Sequence, residues 1–243
     1  MLLNEIKIVL SRVSEAGNAG SVCRAIKNMG ITDLRLAAPL PLFTETILIR
    51  AVNSQEIWEN TQIFDTLTEA VADCSIVVGT TRRRGDRRKS VSMPPRELAA
   101  WLAERQGPAA IVFGNERTGL EEAELDLCNI ASHIPASEKQ PSLNLSHAVQ
   151  IYAYEFFLAL KKQLPVKGEW TPMNQTEIAA LTGRITDTLE TIGFYKKPGR
   201  EDQTLFLHDL MSRAGLSERE GRYLGNIIEK AARLGEKYDI IQK

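Results

Sequence analysis

A chain of 243 residues, 43% hydrophobic and 25% charged, has the length for one large or two modest domains and the make-up of a globular protein. A formal net charge of −1 excludes nucleic-acid binding by bulk charge and leaves local basic patches as the electrostatic route to such a partner. No apolar run approaches the roughly 20 residues of a membrane-spanning helix.

The first residues read as a strand rather than a signal peptide. Cys23, Cys74 and Cys128 are odd in number, far apart and set among apolar neighbours. The expectation is a cytoplasmic protein with reduced thiols, no membrane contact and no metal site. In chain order, apolar runs at 6–10, 33–39, 74–80 and 109–114 end in turn residues and suit buried parallel strands. Weaker strands at 62–64 and 130–135 bring the count to about six. Helical patterns at 20–29, 46–59, 94–104, 121–127 and 144–162 alternate with them. The alternation predicts an α/β domain over 1–163 with a mostly parallel sheet. Residues 164–174, with two prolines and a glycine around them, read as a linker. Helical patterns at 175–191, 202–214 and 217–237 follow, the last opened by the capping-box spacing of Ser217 and Glu220. They predict a small all-helical C-terminal domain over 175–243, near the size at which an isolated core is marginal.

Three segments carry candidate chemistry. Residues 11–20 read as a turn-rich loop whose Ala16, Gly17, Ala19 and Gly20 admit a ligand or another backbone, with Arg24 on the first turn of the helix that follows. IVFGNERTGL, from Ile111, turns at Gly114 and sets Glu116 and Arg117 beyond the carboxyl end of a buried strand, where α/β sheets bind ligands. The third segment crosses a polar loop from Ile134 and enters a helix past Ser142 and Asn144, both good cap residues. Each also has a plain structural explanation: a tight turn, an exposed Glu–Arg pair, an N-cap.

In combination and order, N-A-G-S-x-x-R-A-x-K-x-M-G from Asn18, IVFGNERTGL, and IPASxxxPSLNLSHAVQIYAYE from Ile134 resemble the three motifs of the SPOUT superfamily. Within it they are similar to the TrmH-like RNA 2′-O-ribose methyltransferases, in particular the TrmJ type, and the helical extension is similar as well. The resemblance implies a C-terminal trefoil knot in the α/β domain, S-adenosylmethionine as cofactor and a homodimer. It implies cofactor loops at Thr80, Thr81, Arg82, Gly114, Ile134, Ser142, Leu143 and Asn144. It sets Arg24 at the target ribose, with Asn18, Glu116, Ser142 and Asn144 at the other catalytic motif positions. The implied substrate is tRNA at anticodon-loop nucleotide 32, with ribosomal RNA or another tRNA position as the alternative. Gln140 and Pro141 stand where the TrmJ type usually has a tyrosine and a serine.

Arg24 suits an electrostatic role better than that of a base, because a guanidinium stays protonated in proteins. Independently of the resemblance, Arg82, Arg83, Arg84, Arg87, Arg88 and Lys89 follow a strand's carboxyl end against a single Asp86, a charge run suited to RNA phosphate. Its alternative is a solvated loop. A nicotinamide-dependent oxidoreductase would require the absent G-x-G-x-x-G fingerprint. A hydrolase built on Ser142 and His147 would require the absent G-x-S-x-G elbow. A non-catalytic RNA-binding protein is the remaining rival.

Overall fold

The computed structural model describes residues 1–82, 92–160, 171–195 and 199–239 and divides into two compact units, Met1–Lys167 and Gly168–Lys243. The first unit is built on a seven-stranded sheet. Its strands are β1 (Ile6–Ser11), β2 (Asp33–Ala37), β3 (Gln62–Phe64), β4 (Ile76–Thr80), β5 (Ser92–Met93), β6 (Ala109–Phe113) and β7 (Ile130–Ser132). The order is β3-β2-β1-β6-β4-β7-β5, and every pairing is parallel. All strands therefore end at the same edge, with β6 between β1 and β4. Loops distant in sequence meet there, at the kind of crossing point where open α/β sheets bind ligands.

The pleat explains why both faces of the strands are apolar. Ile8 and Leu10 of β1, with Ile111 and Phe113 of β6, point to a core shared with α1 (Ala16–Asn28), α5 (Pro95–Ala103) and α7 (Leu145–Leu160). Val9, Val77, Ala110 and Val112 point the other way, onto α4 (Leu67–Val71) and α6 (Glu122–Asp126). A sheet covered on both faces requires such uninterrupted apolar runs.

Two sequence expectations are corrected. Residues 16–20 are not a loop: α1 starts at Ala16, so Gly17 and Gly20 lie inside the helix and Arg24 lies in its third turn. The helix expected at 46–59 breaks into α2 (Thr44–Arg50) and α3 (Gln55–Glu59). Asn53 adopts a left-handed backbone (φ 57°) between them, and the buried Ser54 hydroxyl donates to the Ala51 carbonyl. Two short elements carried too little periodicity to be read, the edge strand β5 and helix α4. The basic run from Arg83 to Lys89 lies outside the described residues.

The second unit packs α8 (Gln175–Thr191), α9 (Arg200–Ala214) and α10 (Glu218–Asp239) around Met173, Ile178, Leu181, Ile185 and Met211. Asn174 and Glu177 form a reciprocal capping box, and Gly215 ends α9 in the left-handed conformation. Pro172 and Met173, within the stretch expected to link the domains, belong to this unit: Pro172 bridges to Ser217, and the Met173 N–H donates to the Leu216 carbonyl at 2.7 Å. Among the described residues no helix is long and apolar enough to cross a membrane.

At the amino ends of β1 and β2, the Arg35 side chain is 5% exposed and pairs with Asp73 at 2.6 Å and Asp33 at 3.1 Å. The Arg35 guanidinium holds the Asp73 carboxyl far below its ordinary 3.8. A depressed carboxylate contributes stability that is present above its unfolded pKa and is lost as pH falls below about 4. Asp73→Asn is expected to cost about 1 kcal/mol at pH 7, a figure kept small because the Asp73 side chain is 55% exposed. Urea denaturation at pH 7 and pH 3 checks this: the variant should lose less stability on acidification than the parent, and equal losses would count against the pair.

Candidate functional site

The loops after β1, β6, β4 and β7 gather around one carboxylate. Glu116, three residues beyond β6, accepts hydrogen bonds from the Ser14 N–H (3.1 Å), the Ser14 hydroxyl (2.9 Å), the Glu15 N–H (3.2 Å) and the Asn18 amide (3.2 Å). Glu15 is the N-cap of α1 but places no side-chain oxygen on the helix. Glu116 stands just ahead of the helix on the Ser14 and Glu15 amides, an anion near its positive end. Burial alone would raise its pKa, but the hydrogen bonds from the backbone, Asn18 and Ser14 outweigh burial and hold it below the ordinary value. It is therefore a fixed anion. Glu116 holds backbone amides, and Arg24 is not among its partners.

Asn18 passes the connection on. Its amide oxygen accepts from the Asn144 amide at 2.9 Å, and the Asn144 oxygen accepts from the Ser146 N–H (2.9 Å) and hydroxyl (2.7 Å) at the start of α7. Asn144, rather than Ser142, is thus the residue that caps α7. The chain Glu116–Asn18–Asn144 joins segments about 100 or more residues apart in sequence. Each amide donates one of its two N–H groups within the chain.

Beside this chain lies a cleft of about 160 Å³ lined by Thr80, Thr81, Arg82, Gly114, Ser142 and Leu143, among others. A second lobe of about 130 Å³ shares Thr80–Arg82, Ser142 and Leu143 and adds Ile134, His133 and Tyr152. Every residue expected at the cofactor lines one or both lobes except Asn144, which stands in the hydrogen-bond chain. Gly114 makes the cleft possible. A Cβ there would come 2.2 Å from the backbone of Gly119 and Leu120, because the loop doubles back through an Asn115–Gly119 bridge and a left-handed Gly119.

Arg24 is exposed on α1 and lines neither lobe of its own chain's cleft. It lies six residues beyond Asn18, a rise of about 9 Å along the helix. The fold brings Asn18, Glu116, Ser142 and Asn144 together and leaves Arg24 apart from them. Arg117 and His147 are also exposed.

Several positioning residues escaped the sequence reading. Arg12, at φ 53°, pairs with Glu124 (2.7 Å) and Glu121 (2.8 Å) and donates to the Gly119 carbonyl at 3.0 Å. Asn115 donates back to the Arg12 carbonyl at 2.8 Å. The loop after β1 is thereby tied to the loop after β6. The buried Tyr152 hydroxyl donates to Ser132 at 2.8 Å, and Ser132 donates to the Met93 carbonyl at 2.6 Å, joining α7 to β7 and β5 under the second lobe. Nothing local marks these residues. The one available signal was Asn115 in the turn beside Glu116.

The SpoU rRNA Methylase family profile matches residues 5–154. The tRNA (cytidine/uridine-2′-O-)-methyltransferase TrmJ of Escherichia coli K12 is 35% identical over 237 residues, 93% of this chain and 95% of that protein. The Klebsiella pneumoniae TrmJ is 42% identical over 163 residues, and there the alignment spans 65% of each protein. The crystal structure of TrmJ from Z. mobilis ZM4 superposes with a TM-score of 0.75 at 30% identity, covering 93% of this chain and 98% of that one. The parallel sheet and the loop cluster at its carboxyl edge define an α/β domain with a ligand cleft. The chain belongs to the SpoU rRNA Methylase family and is an RNA methyltransferase.

Gly114→Ala forces a Cβ into the Gly119–Leu120 backbone. The expected result is a loss of about 1–3 kcal/mol from overpacking together with loss of ligand binding in the cleft. Calorimetric unfolding checks the first part, and an unchanged melting temperature would show that the loop relaxes freely.

Proposed function

We propose that the chain transfers a methyl group from S-adenosylmethionine to a ribose 2′-OH of tRNA, at nucleotide 32 of the anticodon loop, and acts as a cytoplasmic homodimer. One observation carries the reading: a two-lobed cleft walled by Thr80–Arg82, Gly114, Ile134, Ser142 and Leu143 opens beside the preorganised Glu116–Asn18–Asn144 chain. The names of the Escherichia coli and Klebsiella relatives support tRNA and the 2′-oxygen.

The cleft fits the proposed cofactor. Hydroxyl and backbone groups of Thr80, Thr81 and Ser142 lie beside apolar Leu143, Ile134 and Ala148, and Gly114 keeps the wall free of a side chain. A nucleoside with an amino-acid tail needs such a mixture of surfaces. When bound, it supplies an electrophilic methyl on a sulfonium.

The chain's own residues orient the acceptor. The spare amide donors of Asn18 and Asn144 hold the ribose by its oxygens. Glu116 is no general base, because its lone pairs are engaged and its pKa is lowered. Arg24 is permanently cationic, so it binds the target phosphate and lowers the hydroxyl's effective pKa, and phosphate or water accepts the proton. Because Arg24 is exposed and outside its own cleft, it serves the ribose bound in a partner's cleft. The interface would use α1 and α7, whose Tyr154 and Leu158 are exposed. Arg82 and the basic run that follows it would guide the RNA backbone. The trefoil knot implied by the resemblance belongs to the same reading.

S-adenosylmethionine is expected to raise the melting temperature and NAD to leave it unchanged. Arg24→Ala should abolish methyl transfer to tRNA while preserving the cofactor-induced shift. Full turnover by that variant would remove Arg24 from the reaction, and mapping the labelled nucleotide in total tRNA decides the position.

A further inference from the structure

We propose that Arg50 at the end of α2 and Phe43 at its N-cap, on the helix packed against α1, form with Arg24 a subsite for a single-stranded stretch of the RNA, the arginines on phosphate and the ring against a base. The proposal rests on the reading of the chain as an RNA 2′-O-methyltransferase.

Its starting point is Gly20. Inside a helix this position has no local need for glycine, yet a Cβ there would lie 2.3 Å from the Ile47 carbonyl oxygen and 2.8 Å from Arg50 Cβ. The missing side chain lets α1 and α2 cross in backbone contact. Arg24 follows Gly20 by one turn on the same face, a rise of about 6 Å, which sets the Cα atoms of Arg24 and Arg50 within about 12 Å. Two side chains of that length reach a common anion. Both arginines are exposed, and neither has a hydrogen-bond or ion-pair partner among the described residues. Arg12, Arg35 and Arg96 of the same unit are all paired. Two like charges held together unpaired repel, and a phosphate reverses that cost.

The second half of the surface is apolar. Phe43 is 80% exposed, with Ile49 at 71% and Leu40 at 50% nearby in the chain. This loop is part of the site's edge: the Leu40 N–H donates to the Val13 carbonyl at 3.0 Å, next to the Ser14 that binds Glu116. Phe43 is the N-cap of α2, seven residues before Arg50 at the helix's other end and about 10 Å from it along the axis. An exposed ring beside unpaired guanidiniums suits unstacked bases of an RNA loop, which bind by stacking and phosphate contact. A two-fold contact between copies centred on this patch would instead set arginines against arginines.

The test measures binding of an unmodified tRNA transcript to the full chain between 50 and 200 mM salt, with cofactor-induced thermal shift and sedimentation in parallel. Arg50→Ala should weaken binding three- to tenfold and lower the salt slope by about 0.7, with Arg50→Lys retaining most of that slope. Phe43→Ala should weaken binding about tenfold at an unchanged slope, with Phe43→Tyr restoring it. Cofactor shift and molecular mass should stay at parent values. Parent-like RNA affinity in both alanine variants overturns the subsite alone, provided the parent methylates tRNA. A fall in mass overturns it in favour of a contact between copies. A parent that neither binds nor methylates tRNA overturns the underlying reading and the subsite with it.

Discussion

The Glu116 carboxylate is the point on which the rest of the site depends. It stands beyond the end of the sheet's central strand, holds the amides just ahead of a helix from another part of the chain and binds Asn18, which binds Asn144 at the head of α7. Hydrogen bonds to an ionised acceptor are worth about 1.5–3 kcal/mol each before desolvation is charged against them. Four of them converge here, enough to keep a partly buried carboxylate ionised and in place. Without that anion, the Ser14 and Glu15 amides lose their acceptor and the Asn18 amide its anchor.

The surroundings divide into two sides of this chain. On the β6, β4 and β7 side, Gly114, Thr80–Arg82 and Ser142–Leu143 wall a cleft suited to a small cofactor. On the β1 and β2 side lie the exposed Arg24 and Arg50 and an apolar loop around Leu40 and Phe43. The Arg12 clamp on Glu124 and Gly119 binds the two sides together, so displacement of one loop is felt by the other. Parallel strands ending at one edge make such an arrangement available, and the chain order of β1, β6 and β4 places it at the centre of the sheet.

The strands were legible because a sheet buried on both faces leaves unbroken apolar runs, as at Ile76–Thr80 and Ala109–Phe113. The start of α1 was not. The carboxylate at its start, Glu116, comes from about 100 residues away, and Gly20 serves packing against α2, so local signals point to a loop. Four of the five residues expected in catalysis meet at the strand ends. Arg24 stands apart, since a motif gives residue types in order but not the face of a helix. Arg12 and Tyr152 were illegible for the complementary reason: their partners, Glu124 and Ser132, are neighbours only after folding.

The most direct measurement uses a tRNA carrying a single 2′-deoxynucleotide at position 32, incubated with the protein and methyl-labelled S-adenosylmethionine beside the all-ribose tRNA. The expected result is label on nucleotide 32 of the ribose form and none on the deoxy form. Equal labelling of both would contradict transfer to that 2′-oxygen.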